Sequence, residues 1–196
     1  MEPIILASGS LRRQEYFRLM GLPFNIMPTL IEEEFTEAIS PKEATEKLAV
    51  RKVNKILELL QGRLPPWICG ADTVTSIDGK IFGKPKDRND AEQMLKMLQG
   101  REHEVVTAIA LFNGKHKTID CRSVESKVTF TNLTESEIEW YLSTGEWQGV
   151  AGAYRIQGLA SCFVTSIKGS YSGIVGLPLR EFYAMLRDNG YPYGGM

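Results

Sequence analysis

Hydrophobic patterns of helical and strand type alternate along almost the whole of this chain, with no low-complexity linker and no internal repeat between them. Alternation of this kind is typical of a β-sheet that is covered by helices. The chain has 196 residues, of which 43% are hydrophobic, and this is enough to bury one sizeable core or two small lobes. We therefore expect an α/β or α+β domain.

Charge and cysteine content argue against several classes of protein. The net charge of −1 provides no global basic field for nucleic acid or an anionic membrane. Cys69, Cys121 and Cys162 are widely spaced and lack a C-x-x-C pair, which disfavours a disulfide framework or a structural zinc site. No stretch approaches the ~20 apolar residues of a membrane span. We expect a cytoplasmic protein that binds neither nucleic acid nor a membrane.

Capping residues predict where the longest helix begins. Ser40, Pro41 and Glu43 combine an N-cap, a proline in the first turn and a capping-box acid, so a helix should run from about Pro41 to about Leu60. Shorter helical patterns and strand-like runs follow it along the chain. These are helices after the capping pairs Asn89 with Glu92 and Thr134 with Glu137, a last helix containing Phe182 and Leu186, strands at 67–70, 74–77, 104–112, 123–130 and 162–167, and hairpin turns at Asp78-Gly79 and Asn113-Gly114.

A predicted tight loop of Ser8, Gly9 and Ser10 connects a short buried strand at residues 4–7 to a helix. Two hydroxyls and the guanidinium groups of Arg12 and Arg13 therefore meet at a helix N-terminus, where free backbone N–H groups favour phosphate or carboxylate. Arginine supplies planar, bidentate donors for phosphate oxygens. The alternative is that Ser10 only caps the helix and that the arginines are solvated.

Three more residues carry charge at positions that favour a site. Lys52 lies on or beside the apolar stripe of the long helix, so it either snorkels to the surface or points into a cleft that holds an anion. Asp72 follows the apolar run 68–71, and a carboxylate at a strand end can serve as a metal ligand or general base. Lys84 lies in a Gly-Lys-Pro loop that would aim it at phosphate. For Asp72 and Lys84 the alternative is a solvated turn.

A glycine-rich apolar segment from Ala151 to Leu159 contains Gln157. Glycines this dense in apolar sequence imply that backbone segments approach one another closely. The glutamine amide offers both a donor and an acceptor, which suits the edge of a nucleobase. The alternative is a structural glutamine that hydrogen-bonds the backbone of its own loop.

Seven short motifs follow one another in order across nearly the whole chain. They are residues 6–13, Leu48-Ala49 with Lys52, residues 70–74, 83–85 and 100–103, residues 151–154 with 156–158, and residues 175–179. Together they resemble the Maf family of nucleoside triphosphate pyrophosphatases. The resemblance implies a single domain over residues 1–196 with the α/β fold of the inosine triphosphatases, in which a twisted mixed β-sheet with flanking helices forms two lobes around a cleft. The segment around Gln157 resembles the subgroup that acts on dTTP and UTP.

The resemblance also implies roles for the charged and polar residues. Asp72 would be the proton acceptor that activates water, and with Glu33 it could hold a hydrated Mg²⁺ or Mn²⁺. Attack of water on the α-phosphorus then releases a nucleoside monophosphate and pyrophosphate, with the barrier lowered by positioning and charge neutralisation. Lys52 and Lys84 would be catalytic as well. The phosphate ligands would be Ser8, Ser10, Arg13, Lys52 and Lys84, and the residues that influence the choice of base would be Arg12, Thr73 and Gln157.

Some positions depart from the family pattern. Leu11 stands where the family usually has proline, Gln148 and Val150 stand where it has an Asp-Lys pair, and Arg155 stands where it has glycine. A proline at a helix start is favoured but not required, so Leu11 should be harmless. The lost charged pair and the new cation at Arg155 could change the base pocket or an ion pair behind it. Normal and modified pyrimidine nucleotides both stay open as substrates.

Two other functions remain open from the sequence. A non-catalytic nucleotide-binding regulator of cell division or septum formation could keep the same binding residues. A phosphatase that removes the terminal phosphate could also use them. Asp72 and Glu33 argue against a site that binds without catalysis, and the resemblance further suggests a homodimer.

Overall fold

A mixed β-sheet of seven strands forms the centre of the structure, a computed structural model that describes residues 1–29, 31 and 39–193. The order of its strands is β2-β1-β3-β5-β6-β7, and β4 also pairs with β3. β1 runs parallel to β2 and β3, and the other pairs are antiparallel. The strands are β1 (Ile4–Leu6), β2 (Phe24–Ile26), β3 (Trp67–Ile77), β4 (Lys80–Phe82), β5 (Glu102–Asn113), β6 (Thr118–Phe130) and β7 (Val164–Lys168).

The sheet is flanked by helices, which confirms the predicted fold class. The part of the chain that the structure describes contains α1 (Leu11–Leu19), α2 (Pro41–Leu59), α3 (Arg88–Leu98), α4 (Glu135–Ser143), α5 (Tyr171–Val175) and α6 (Leu179–Asp188), with 3₁₀ turns at Ala151–Ala153 and Leu159–Phe163. None of these described helices is long and apolar enough to cross a membrane.

The capping residues explain most of the helix starts. At α2 the Ser40 side chain accepts a hydrogen bond from the backbone of Glu43 (3.2 Å), and α4 begins with the predicted capping box of Thr134 and Glu137. The predicted start of α3 was wrong. Asp87, rather than Asn89, is its N-cap, because the carboxylate of Asp87 accepts from the backbone N–H of Asp90 (2.8 Å).

The two strands predicted at 67–70 and 74–77 are a single strand, which corrects the placement of Asp72 at a strand end. β5 pairs with β3 along almost its whole length, from the pair Trp67–Asn113 to the pair Ser76–Glu104. This continuous ladder holds the polar residues in the middle of the strand in extended conformation. The predicted strand at 162–167 also begins later, at Val164, because a 3₁₀ turn ends at Phe163.

Three apolar clusters fill the space between the sheet and the helices. One lies under α3 and α4 around Tyr141 and Phe130, at the end of β3 that contains Ile77. The other two lie at the opposite end of β3, with Phe17 among α1 and α6 and with Ile56 under α2. The middle of β3 therefore runs between two packed regions, as expected for two lobes around a cleft.

His103 makes the stability of this core depend on pH. Its side chain is 1% exposed, its Nε2 atom hydrogen-bonds the Tyr154 hydroxyl (2.9 Å), and burial lowers the pKa of His103 from 6.5 to about 4. Between these two values the unfolded chain binds a proton that the folded chain does not, so the free energy of unfolding falls as the pH falls. Over this pH range the free energy of unfolding falls by about 3 kcal/mol in total, which follows from the size of the pKa shift.

Chemical denaturation at a series of pH values measures this loss. We expect His103→Gln to lose less stability than the wild type between pH 6.5 and about pH 4, because glutamine cannot take up the proton. His116→Gln changes the other histidine, which is exposed in a turn, and should keep the wild-type slope. Equal slopes for all three proteins would show that His103 does not control acid stability.

Candidate active site

A cleft of about 520 Å³ opens where the edge of β3 lacks a neighbouring strand within the described residues. β1 pairs with β3 as far as the pair Leu6–Cys69, and β4 joins the same edge from Thr75 onward. The gap between β1 and β4 along this edge leaves room for the side chains of Asp72 and Thr73. The cleft has the size usual for a small-molecule site.

The cleft brings together nine of the ten site residues predicted from the sequence. They come from the loop before α1, from α1 and α2, from β3, from the loop after β4, and from the segment after the first 3₁₀ turn. These residues are Ser8, Ser10, Arg12, Arg13, Lys52, Asp72, Thr73, Lys84 and Gln157. The tenth, Glu33, lies outside the described residues.

Lys52 points into the cleft and forms an ion pair with Asp72, so the snorkelling alternative was wrong. Lys52 is 8% exposed and Asp72 is 3% exposed. The ammonium also lies 3.3 Å from the carbonyl oxygen of Ala71, to which it donates. Gly70 makes this approach of α2 possible, because a Cβ atom there would lie 2.4 Å from the carbonyl oxygen of Ala49.

Arg13 connects three parts of the cleft. Its Nε atom donates to the carbonyl of Gly176 (2.8 Å), Nη1 to the hydroxyl of Ser8 (2.9 Å) and Nη2 to the hydroxyl of Thr73 (3.1 Å). Ser10 occupies the N-cap position of α1, but its side chain makes no capping hydrogen bond. The loop before α1 is therefore held by Arg13, and the interpretation of Ser10 as a simple cap is wrong.

Positive charge dominates the described lining of the cleft. Burial first, and then the nearby charges of Arg13 and Arg155, lower the pKa of Arg12 to about 10. The Arg155 guanidinium lies close by because it donates to the backbone carbonyls of Glu146 (2.8 Å) and Gln148 (3.2 Å). Cations at this density favour an anionic ligand.

One wall of the cleft is apolar and was not predicted as part of the site. Its side chains come from β5, from the segment after the first 3₁₀ turn and from α5. They are Val105, Tyr154, Ile156, Ile174 and Val175. Val105 pairs with Thr75 and therefore lies on the face of the sheet that carries Thr73 and Thr75, a register that the sequence does not reveal. The residues of α5 are brought in only by tertiary packing.

Comparison with known proteins identifies the family of this chain. The model of the Maf family, described as Maf-like protein, matches residues 3–189. The chain belongs to the Maf family. Residues of all seven Maf motifs are included in the match.

Curated relatives of this Maf protein are similar to it over nearly their full lengths. A dTTP/UTP pyrophosphatase of Symbiobacterium thermophilum is 42% identical over 98% of this chain and 96% of its own. A dTTP/UTP pyrophosphatase of Geobacter sp. (strain M21) is 44% identical over 95% of each chain, and one of Escherichia coli O157:H7 is 42% identical over 96% of this chain and 93% of its own. A solved nucleoside-triphosphatase / dITP/XTP pyrophosphatase from Mycobacterium abscessus aligns with a TM-score of 0.40 and 14% identity over 67% of this chain and 75% of that chain.

Proposed function

We propose that this Maf protein is a nucleoside triphosphate pyrophosphatase that hydrolyses dTTP and UTP to the nucleoside monophosphate and pyrophosphate. The observation that carries the proposal is the convergence of Asp72 with Lys52, Lys84 and the arginines of α1 in one cleft. The names of its relatives, dTTP/UTP pyrophosphatases, support the class of substrate. In the proposed hydrolysis water is the nucleophile, so no side chain has to attack the phosphorus.

The two kinds of lining suggest how the substrate lies. A triphosphate would occupy the part lined by Lys52, Lys84 and Ser8, where cations and a hydroxyl can bind its oxygens. The base would lie against the apolar wall, where burial of a flat ring is favourable. Arg12 and Gln157 line the same cleft and would hydrogen-bond the nucleoside, the roles that the resemblance implies.

In the proposed reaction Asp72 accepts the proton of the attacking water. The ion pair with Lys52 fixes the position of the Asp72 carboxylate, which general-base catalysis requires. Lys84 is exposed on the loop after β4. There its ammonium can bind the departing pyrophosphate, whose negative charge increases during the reaction. Positioning and charge neutralisation supply most of the rate enhancement in reactions of this kind.

The carboxylate of Asp72 is a suitable ligand for a divalent metal ion that is bound mainly through the substrate. Among the residues that the structure describes, no group of three histidine, cysteine or acidic side chains is close enough to form a complete protein site. Mg²⁺ usually binds one or two carboxylates and completes its shell with phosphate oxygens and water. Asp72 would provide one carboxylate, and Glu33, outside the described residues, would provide a second. Such an ion would neutralise phosphate charge.

Turnover by the purified protein tests the proposal. With Mg²⁺ or Mn²⁺ we expect dTTP or UTP to yield the monophosphate and pyrophosphate, and we expect a chelator to stop the reaction. Diphosphate and orthophosphate as the products would contradict the mechanism. Binding of nucleotide without turnover would favour the regulator of cell division instead. The homodimer and the cytoplasmic location stay predictions from the sequence.

A further inference from the structure

The open edge of β3 presents different side chains on its two faces. Thr73 pairs with Thr107 on β5, so these two residues lie on one face of the sheet, and Asp72, which pairs with Ala108, lies on the other. The apolar wall of the cleft belongs to the face of Thr73, since Val105 is on that face and Thr107 hydrogen-bonds the backbone of α5. If the proposed function is correct, the base therefore lies on the side of Thr73, away from Asp72.

A chain of hydrogen bonds fixes the direction in which the Thr73 hydroxyl points. Thr107, which is fully buried, has one hydroxyl proton and donates it to the carbonyl of Gly173 (2.7 Å), which can only accept. The Thr73 and Thr107 hydroxyl oxygens are 2.8 Å apart, so the proton between them must come from Thr73. Thr73 in turn accepts from Nη2 of Arg13 (3.1 Å).

The hydrogen bonds of the Thr73 hydroxyl limit the kind of ligand group that it can bind. A hydroxyl has one proton and two lone pairs. The proton of Thr73 is directed to Thr107 and one lone pair is used by Arg13, so a lone pair is what remains for the cleft. Thr73 can therefore accept a hydrogen bond from a ligand but cannot donate one.

We propose that Thr107 is a positioning residue that sets the base preference of the enzyme through Thr73. By holding the Thr73 proton away from the cleft, Thr107 makes this position selective for a ring N–H donor. Uracil and thymine carry a proton on N3, whereas N3 of cytosine is an acceptor that would face the lone pair of Thr73. This inference rests on the proposed function and adds to it a physical reason for discrimination against cytosine nucleotides.

The test compares variants that remove or keep the Thr107 hydroxyl. Thr107→Val has nearly the same shape but provides no acceptor for the Thr73 proton, so that proton can turn toward the cleft. We expect the ratio of kcat/KM for UTP to that for CTP to fall about tenfold or more, which is the size of one good hydrogen bond. Thr107→Ser keeps the hydroxyl and should keep the wild-type ratio. The thiol in Thr107→Cys is a weak donor and acceptor, so this variant should have a ratio between those of the wild type and Thr107→Val. It takes the place of the valine variant if that variant does not fold.

Thr45→Val is the matched control. Thr45 is also fully buried, and its hydroxyl donates to the backbone of Pro41 within α2, away from the base. We expect this variant to lose stability without changing the UTP to CTP ratio. An unchanged ratio in Thr107→Val, or an equal loss on both substrates, would overturn the inference, as would a changed ratio in Thr107→Ser.

Calorimetric binding of UMP and CMP to the same variants separates the inference from the proposed function. If the wild-type protein hydrolyses neither triphosphate but prefers UMP, the proposed function fails and the inference is decided by whether Thr107→Val removes that preference. If the wild-type protein does not distinguish UMP from CMP in binding or in turnover, the inference fails.

Discussion

Asp72→Asn is expected to lower the turnover of dTTP and UTP by about 10² to 10⁴, the usual contribution of a general base. The asparagine amide cannot take the proton of the attacking water. Its oxygen can still accept a hydrogen bond from Lys52, so the side chain should remain in the position that Asp72 occupies. Initial rates of pyrophosphate release measure the effect, and circular dichroism with a thermal melt shows whether the protein is folded.

Asp78→Asn is the matched control for this prediction. Asp78 lies in the exposed turn between β3 and β4 with a positive φ of 51°, a conformation that asparagine also adopts readily. The variant should lose its surface ion pair with Arg101 and keep full activity. Full activity of Asp72→Asn would remove Asp72 from its proposed role.

Lys52→Met is expected to lower the free energy of unfolding by about 3 kcal/mol and also to lower activity strongly. The substitution leaves the buried Asp72 carboxylate without the ammonium that it contacts, and losing one member of a buried ion pair is costly. Urea denaturation measures the stability. Lys55→Met, on the exposed face of the same helix, should change stability by less than about 1 kcal/mol.

The double variant Lys52→Met/Asp72→Asn tests the cause of that loss. Because the carboxylate charge is also removed, the double variant should be more stable than Lys52→Met by at least about 1 kcal/mol. If the two substitutions were additive, the ion pair would not be the source of the instability. If Lys52→Met had wild-type stability, the pair would contribute nothing measurable.

The parts of the site that could be predicted from the sequence depend on local signals. The capping group at Ser40 and the spacing of apolar residues in α2 place Lys52 on the inner side of the helix, and the structure confirms this position. The loop from Ser8 to Ser10 precedes α1 as expected, because a short apolar run and a helical pattern enclose it. The family resemblance added the order of the motifs.

Contacts between distant segments could not be predicted. Thr107 is 66 residues from the Gly173 carbonyl that it hydrogen-bonds, and Arg13 is 163 residues from Gly176. The register of β3 against β5 decides that Thr73 and Thr107 are neighbours, and alternation within one strand does not reveal the register. The continuity of β3 through Asp72 also follows from this long ladder.

Hydrolysis of dTTP in water enriched in heavy oxygen tests the central claim most directly. If water attacks the α-phosphorus, mass spectrometry of the products will find the heavy oxygen in dTMP, and the released pyrophosphate will be unlabelled. Heavy oxygen in pyrophosphate, or labelled orthophosphate together with dTDP, would show attack at another phosphorus and would contradict the account.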